Sequence, residues 1–260
     1  MTPHEGSLIL RSTHRAGDAA WLAVADVVEV AERLDVVYRL VGGNSVALLV
    51  NHHGVADVVP PRETADADVG VPFEVCGDVR LLPALTGAGY ERTAGNRFER
   101  SVGDRRLVID ILAPSYTGTL LSNQPHGELV VDEIPGLLDA LHLPATRVHA
   151  EVVLTDGAAM TIDVALPDVR AALIMKAYSY AGRLSANDAV DVWRLLEAAN
   201  AEGLTADDWP ATAGGGDAAV LLHQHFASPA GAGPRRGTSD RGVHARIRAL
   251  THRVVPSPAG

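Results

Sequence analysis

Residues 62–71 read RETADADVGV, and the pair Asp66 and Asp68 constrains the fold more than any other feature of the chain. Side chains alternate along a strand, so two residues at this spacing share a face. Two carboxylates on one face repel, and removing them from water is costly unless a cation stands between them. Further on, RRLVIDILAP sets Asp110 among Val108, Ile109, Ile111 and Leu112, where an unpaired charge would be expensive. If the strand carrying Asp110 neighbours the strand carrying Asp66 and Asp68, three carboxylates converge. Oxygen donors so arranged suit Mg²⁺, which takes one or two carboxylates plus substrate phosphates, and three carboxylates could hold two ions.

The segment before this pair supplies a complementary part. VVYRLVG (36–42) is short and β-branched, as a buried strand is, and NSVALLVNHH reads as a helix with Asn44 or Ser45 at its N-cap. Gly42 and Gly43 let the backbone pass close to a phosphate. The helix start then offers free N–H groups, and Ser45 a hydroxyl. The turn is not a P-loop, because it lacks the G-x-x-x-x-G-K-[ST] spacing. By itself such a turn is most often only a tight connection.

The chain has 22 basic residues, and Lys176 is the only lysine. Val169, Ala172, Leu173, Lys176 and Tyr180 fall on one helical stripe, so the ammonium projects from the apolar side. It either snorkels to solvent or is aimed at an anion such as a triphosphate. Arg183 lies on the same side. In the next helix Ser185 reads as the N-cap with Asp188 three residues on. Asp188 then serves as a cap or orients Lys176, and Asp191 benefits from the helix dipole.

The rest of the chain organises around these parts. Helices are expected at 18–34, capped by Asp18, at 77–90, weakened by Pro83, and at 168–183 and 185–203. Hairpins are expected at 96–114, turning at Gly103-Asp104, and at 147–166, turning at Asp156-Gly157. Residues 211–216 and 228–240 read as loops. Strands dominate the first 165 residues and helices the rest. This is an α+β chain, with a catalytic domain over 1–165 and a helical domain with a flexible basic tail over 166–260.

Composition narrows the function classes. An apolar content of 47% is globular. No run of 18 apolar residues exists to cross a membrane, and MTPHEGSLIL lacks the pattern of a signal peptide. The single cysteine, Cys76, excludes an internal disulfide and fits a reducing cytoplasm. A net charge of −10 argues against non-specific coating of nucleic acid. From residue 233 onward six arginines face one aspartate, which is +5 and leaves −15 for the remainder. That basic end is either a solvated terminus or a phosphate-contacting arm. Arg92, Arg97, Arg100, Arg105 and Arg106 offer a second cationic patch on the first hairpin. His52 and His53 read as a helix end near solvent, and His223 and His225 lack further ligands at zinc spacing.

GGNSVALL, RETADADVGV, VIDIL and KAYSYAGRLSANDAVDVWRLL together resemble the AbiEii-type nucleotidyltransferase toxins. These belong to the DNA polymerase β-like nucleotidyltransferase superfamily and include mycobacterial toxins that add nucleotides to the tRNA acceptor end. The resemblance spans residues 36–196. It implies a polymerase β-like mixed sheet with flanking helices. It also implies that Asp66, Asp68 and Asp110 hold two Mg²⁺ ions and that Asp110 helps deprotonate the acceptor hydroxyl. Gly42, Gly43, Asn44, Ser45, Arg62, Thr64, Lys176, Arg183 and Asp191 would bind the NTP, with Asp188 counted among the catalytic residues. The implied partners are the NTP, a tRNA or other RNA acceptor and an antitoxin protein, with no membrane. Small-molecule nucleotidylation of an aminoglycoside-like acceptor, which an acidic body would suit, nucleotidylation of a partner protein, and a non-catalytic binding role remain rivals.

Overall fold

The computed structural model describes residues 8–258. In chain order the elements are β1 (Leu8–Arg11), α1 (Arg15–Leu34), β2 (Arg39–Val41), α2 (Gly42–His52), β3 (Ala67–Gly70), α3 (Phe73–Cys76) and α4 (Leu81–Gly87). There follow β4 (Glu91–Arg92), β5 (Arg97–Val102), β6 (Arg105–Pro114), β7 (Leu121–His126), β8 (Leu129–Ile134), α5 (Leu137–His142), β9 (Thr146–Val153) and β10 (Ala159–Leu166). The chain ends in α6 (Val169–Arg183), α7 (Ala186–Glu202), α8 (Ala213–Leu222), α9 (Gly233–Gly237) and α10 (Arg241–Val254). The α+β class and the mixed sheet are as expected.

Two sheets share the core. The larger runs β2-β3-β6-β5-β4, with β8 joined to β6 and β7 to β8, and the smaller runs β1-β9-β10. β3 pairs parallel to β6 and antiparallel to β2. Alternation divides the large sheet's two faces. Val69, Ile109 and Ile111 point toward Val27, Val30 and Ala31 of α1, enclosing a small apolar void. Leu112 points the other way, against Leu137 and Ala140 of α5 and Ala171 and Met175 of α6. Asp68 and Asp110 share the parity of Leu112. The sheet therefore has one face that is apolar where it meets the middle of α1 and one that turns from apolar to acidic along its strands.

Several local readings change. α1 begins at Arg15 with His14 as N-cap, accepting from the Gly17 N–H. Asp18 is instead fully buried and accepts from the Thr155 N–H (3.0 Å), the Thr155 hydroxyl (2.6 Å) and Arg105 (3.1 Å). It ties α1 to the β9–β10 turn and the β5–β6 hairpin. Within the segment at 77–90 only α4 forms, from Leu81 to Gly87, with Pro83 tolerated in its first turn, where no intrahelical N–H bond is lost. Both expected hairpins form. A third, β7–β8, escapes the alternation pattern because its first strand, LSNQPH, is polar and irregular in register.

The helical part also differs. Residues 213–216, expected in a loop, open α8, where the Thr212 hydroxyl accepts from the Gly215 N–H. Glycine is needed there for close packing: a Cβ on Gly214 would overlap the Asp139 carboxylate, and one on Gly215 the Pro210 carbonyl. The basic C-terminal segment is not a loose arm. α10 is capped by Asp240 and buries Ile247, Leu250, Thr251 and Val254. A single apolar cluster runs from Leu10 to Val255. No helix among the described residues is long and apolar enough to cross a membrane.

Asp18→Ala removes a fully buried acceptor, leaving the Thr155 N–H and hydroxyl without it and Arg105 with Asp156 alone. It should lower unfolding free energy by about 3 kcal/mol, read by urea denaturation. A change under about 0.5 kcal/mol would contradict this role for Asp18.

Candidate active site

The parallel β3–β6 ladder places Asp68 directly opposite Asp110. Asp66 stands one residue ahead of the first paired residue of β3 rather than inside the strand. Its Oδ1 accepts from the Thr64 hydroxyl (2.7 Å), and its carbonyl accepts from the Asn44 amide (2.9 Å). One carboxylate oxygen from each of Asp66, Asp68 and Asp110 lies within 4.8 Å of the others. Burial, then the Asp66 and Asp110 charges, push the Asp68 carboxyl up to about 7, though part of its surface stays accessible. Lys176 and Arg183 oppose that shift, so their charges reach this side chain.

Three hard oxygen donors forced together with unfavourable self-repulsion fit a divalent cation such as Mg²⁺ or Mn²⁺. Asp66, Asp68 and Asp110 are the residues able to hold one.

α2 starts earlier than expected, at Gly42, and has no side-chain N-cap. Asn44 and Ser45 therefore lie in its first turn. Gly42 has a φ of +68°, and a Cβ there would overlap the Asp68 carboxylate. Only glycine meets both demands. A Cβ on Gly43 would press on Arg62 and Thr64. Ser45 is buried, and its hydroxyl has no hydrogen-bond partner among the described residues. The uncapped N–H groups of this helix open beside the carboxylates.

The α6–α7 corner supplies the positive side. The Val169, Ala172, Leu173, Lys176 and Tyr180 stripe is buried throughout. Lys176 Nζ lies 2.7 Å from Asp191 and 3.4 Å from Asp188. Asp191, fully buried, also accepts two bonds from Arg62 (2.8 and 3.1 Å) and lies 3.5 Å from Arg194. Asp188 takes a bidentate pair from Arg183 (3.1 and 2.9 Å) and a bond from Ser185, whose hydroxyl in turn caps α7. Burial alone would raise the Asp188 carboxyl; Arg183, Lys176 and Ser185 outweigh it and hold the carboxyl below its ordinary value. The cap of α7 is therefore Ser185 and not Asp188, whose carboxylate instead holds Arg183 and stands beside Lys176. Four cations surround the two carboxylates, and of these Lys176 and Arg183 act on Asp68 of the triad.

One participant escaped the sequence reading in this role. Arg97 on β5 faces Asp110 across the antiparallel ladder and spans both its oxygens, at 2.9 and 2.6 Å. The hydrogen-bond register would have found it: five pairs in from the Val102–Arg105 turn pair lie Arg97 and Asp110. The hairpin arginines do not form a free patch. Arg100 pairs with Asp26, Arg105 with Asp18 and Asp156, Arg106 with Glu99, and Arg92 donates to the Glu128 carbonyl. His223 meets the Val255 carbonyl, and His225 stands edge-on to Tyr180.

No family model and no curated protein matches this chain. Solved structures that resemble it include an antigenic nucleotidyltransferase-like protein from Paracoccidioides brasiliensis. The identity is 14% and the TM-score 0.48, over 94% of this chain and 95% of that one. A second is the antibiotic-resistance factor ANT(2'')-Ia, at 13% identity and a TM-score of 0.41, over 73% of this chain and 86% of that one.

The raised Asp68 carboxyl sets a pH dependence. In an unfolded chain the group titrates near 4, so the fold favours its protonated form between about 4 and 7. Metal-free stability should fall as pH rises across that window. Mn²⁺ affinity should weaken by up to about tenfold per pH unit below 7 and level off above it, measured by titration calorimetry. A flat profile from pH 5.5 to 8 would contradict it. Gly42→Ala should displace Asp68 and weaken Mn²⁺ binding by about tenfold or more, at a stability cost of about 1–3 kcal/mol; unchanged Mn²⁺ affinity would dissociate Gly42 from the site.

Proposed function

We propose that this chain is a nucleotidyltransferase that moves a nucleoside monophosphate from an NTP to an acceptor hydroxyl. The observation that carries the reading is the apposition of two charged halves. The Asp66–Asp68–Asp110 triad lies on one sheet face, and the Lys176–Arg183 pair and the uncapped start of α2 open toward it. Phosphoryl transfer needs little covalent help; it needs a triphosphate held in line and its charge neutralised. Mg²⁺ on the three aspartates would stabilise charge on the attacking and leaving oxygens. The α2 N–H groups, with Ser45 and Asn44, hold the phosphates. Lys176 neutralises the departing pyrophosphate, with Asp188 and Asp191 fixing its position. Arg62 and Thr64 brace the loop before β3. Asp110 assists removal of the acceptor proton as the hydroxyl oxygen bonds to the α-phosphorus.

For the acceptor, the reading is an RNA 3′ hydroxyl, that of tRNA, with the chain acting as a toxin held by an antitoxin protein. The motif resemblance supports this. So does the surface of α9 and α10, where Arg235, Arg236, Arg241 and Arg253 are exposed while the hairpin arginines are engaged elsewhere. A second reading, a small cationic acceptor of aminoglycoside type, is favoured by the −15 charge of the remaining chain.

The test is incubation with each α-labelled NTP and, separately, total tRNA, an aminoglycoside panel and cell protein. Label in tRNA supports the first reading, label in the drug the second, and label in protein a partner-modifying enzyme. Absence of label anywhere argues for a binding role. Asp68→Asn should reduce transfer by about 10³-fold or more while the fold persists. Wild-type turnover by that variant would remove the triad from the chemistry. Alanine at Arg235, Arg236, Arg241 and Arg253 should weaken RNA binding and flatten its salt dependence. The log–log slope should drop by roughly 0.7–0.9 for each phosphate that an arginine no longer neutralises. An unchanged slope would place the RNA elsewhere.

A further inference from the structure

We infer that Arg97 is a positioning residue that controls when a second divalent ion can reach Asp110. The inference rests on the reading of the triad as a metal site. The β5–β6 register fixes Arg97 opposite Asp110. Its guanidinium holds both Asp110 oxygens, Nε to Oδ1 at 2.9 Å and Nη2 to Oδ2 at 2.6 Å, and Nη2 lies 3.7 Å from Asp66. A planar fork on a carboxylate is among the stronger charge-assisted pairs. Asp110 is largely covered, with a side-chain exposure of 12%, so few directions of approach remain. A divalent ion using those oxygens would meet the guanidinium at contact distance, and the two positive charges repel.

The three carboxylates are therefore not equivalent. Asp110 is held by arginine on both oxygens, whereas Asp66 keeps one oxygen on Thr64 and Asp68 has no arginine at hydrogen-bond distance among the described residues. A first ion enters on Asp66 and Asp68 without displacing a strong pair. A second requires the Arg97 fork to leave Asp110. The Arg97 side chain is 41% exposed, so it has room to swing, and a phosphate-bearing substrate offers the guanidinium a new anion. Ion entry is ordered, with the last step coupled to substrate.

The experiment is Mn²⁺ titration of the full chain, with melting curves in EDTA and in Mn²⁺, for wild type, Arg97→Gln, Arg97→Lys and Asp68→Asn. The expected result is one tight and one weak site in wild type, with the weak site tightened on the order of tenfold in Arg97→Gln. That variant should melt lower than wild type in EDTA, with the gap closing in Mn²⁺. Arg97→Lys, which keeps the charge and loses the fork, should also bind the second ion more tightly than wild type and serves if Arg97→Gln misfolds. Second-site affinity at or below wild type in both variants, with equal losses of stability in EDTA and Mn²⁺, would make Arg97 a structural pair and overturn the inference. Equal Mn²⁺ binding by wild type and Asp68→Asn would instead overturn the metal reading itself, and this inference with it.

Discussion

The parallel pairing of β3 with β6 is the constraint on which the site depends. It sets Asp68 beside Asp110 with no freedom to slip, because a one-residue shift would turn Val69, Ile109 and Ile111 away from α1. The apolar contacts of one face thereby hold together like charges on the other. Gly42 closes the arrangement, since its backbone fills the space above Asp68 that any side chain would contest. The repulsion is sustained by the packing of α1 and by the core beneath it.

The second half of the site answers this acidic cluster. α5 and α6 cover the apolar stretch of the same sheet face, and that packing directs Lys176 toward the carboxylates. Asp188 and Asp191 then prevent the lysine from reaching for solvent. Of the four cations around Asp188 and Asp191, Lys176 and Arg194 are buried while Arg183 stays exposed, and the triad adds negative charge nearby. Each half offsets the charge of the other.

Much of this was legible in the sequence. Two-residue spacing suggested that Asp66 and Asp68 share a face, and a carboxylate in VIDIL called for a partner; the three carboxylates cluster, although Asp66 stands ahead of the strand. The lone lysine, read as snorkelling or aimed at an anion, is buried against Asp191 and Asp188. Other features were hidden for physical reasons. Gly214 and Gly215 read as a loop, yet the helix there needs glycine to pass Asp139 and Pro210. LSNQPH carries no alternation, and its strand exists only through pairing with β8. Asp18 looked like a cap because its tertiary partners, Thr155 and Arg105, lie far along the chain. The basic end looked loose because its apolar residues are few, although Ile247, Leu250 and Val254 fall on one buried stripe.

The most direct test of the central claim is an anomalous-difference map from crystals of this chain grown with Mn²⁺ and a non-hydrolysable NTP analogue. The account predicts a peak bounded by the carboxylates of Asp66, Asp68 and Asp110, with the analogue's phosphates between that peak, the start of α2 and Lys176. A manganese peak elsewhere, or an analogue bound away from these carboxylates, would contradict it.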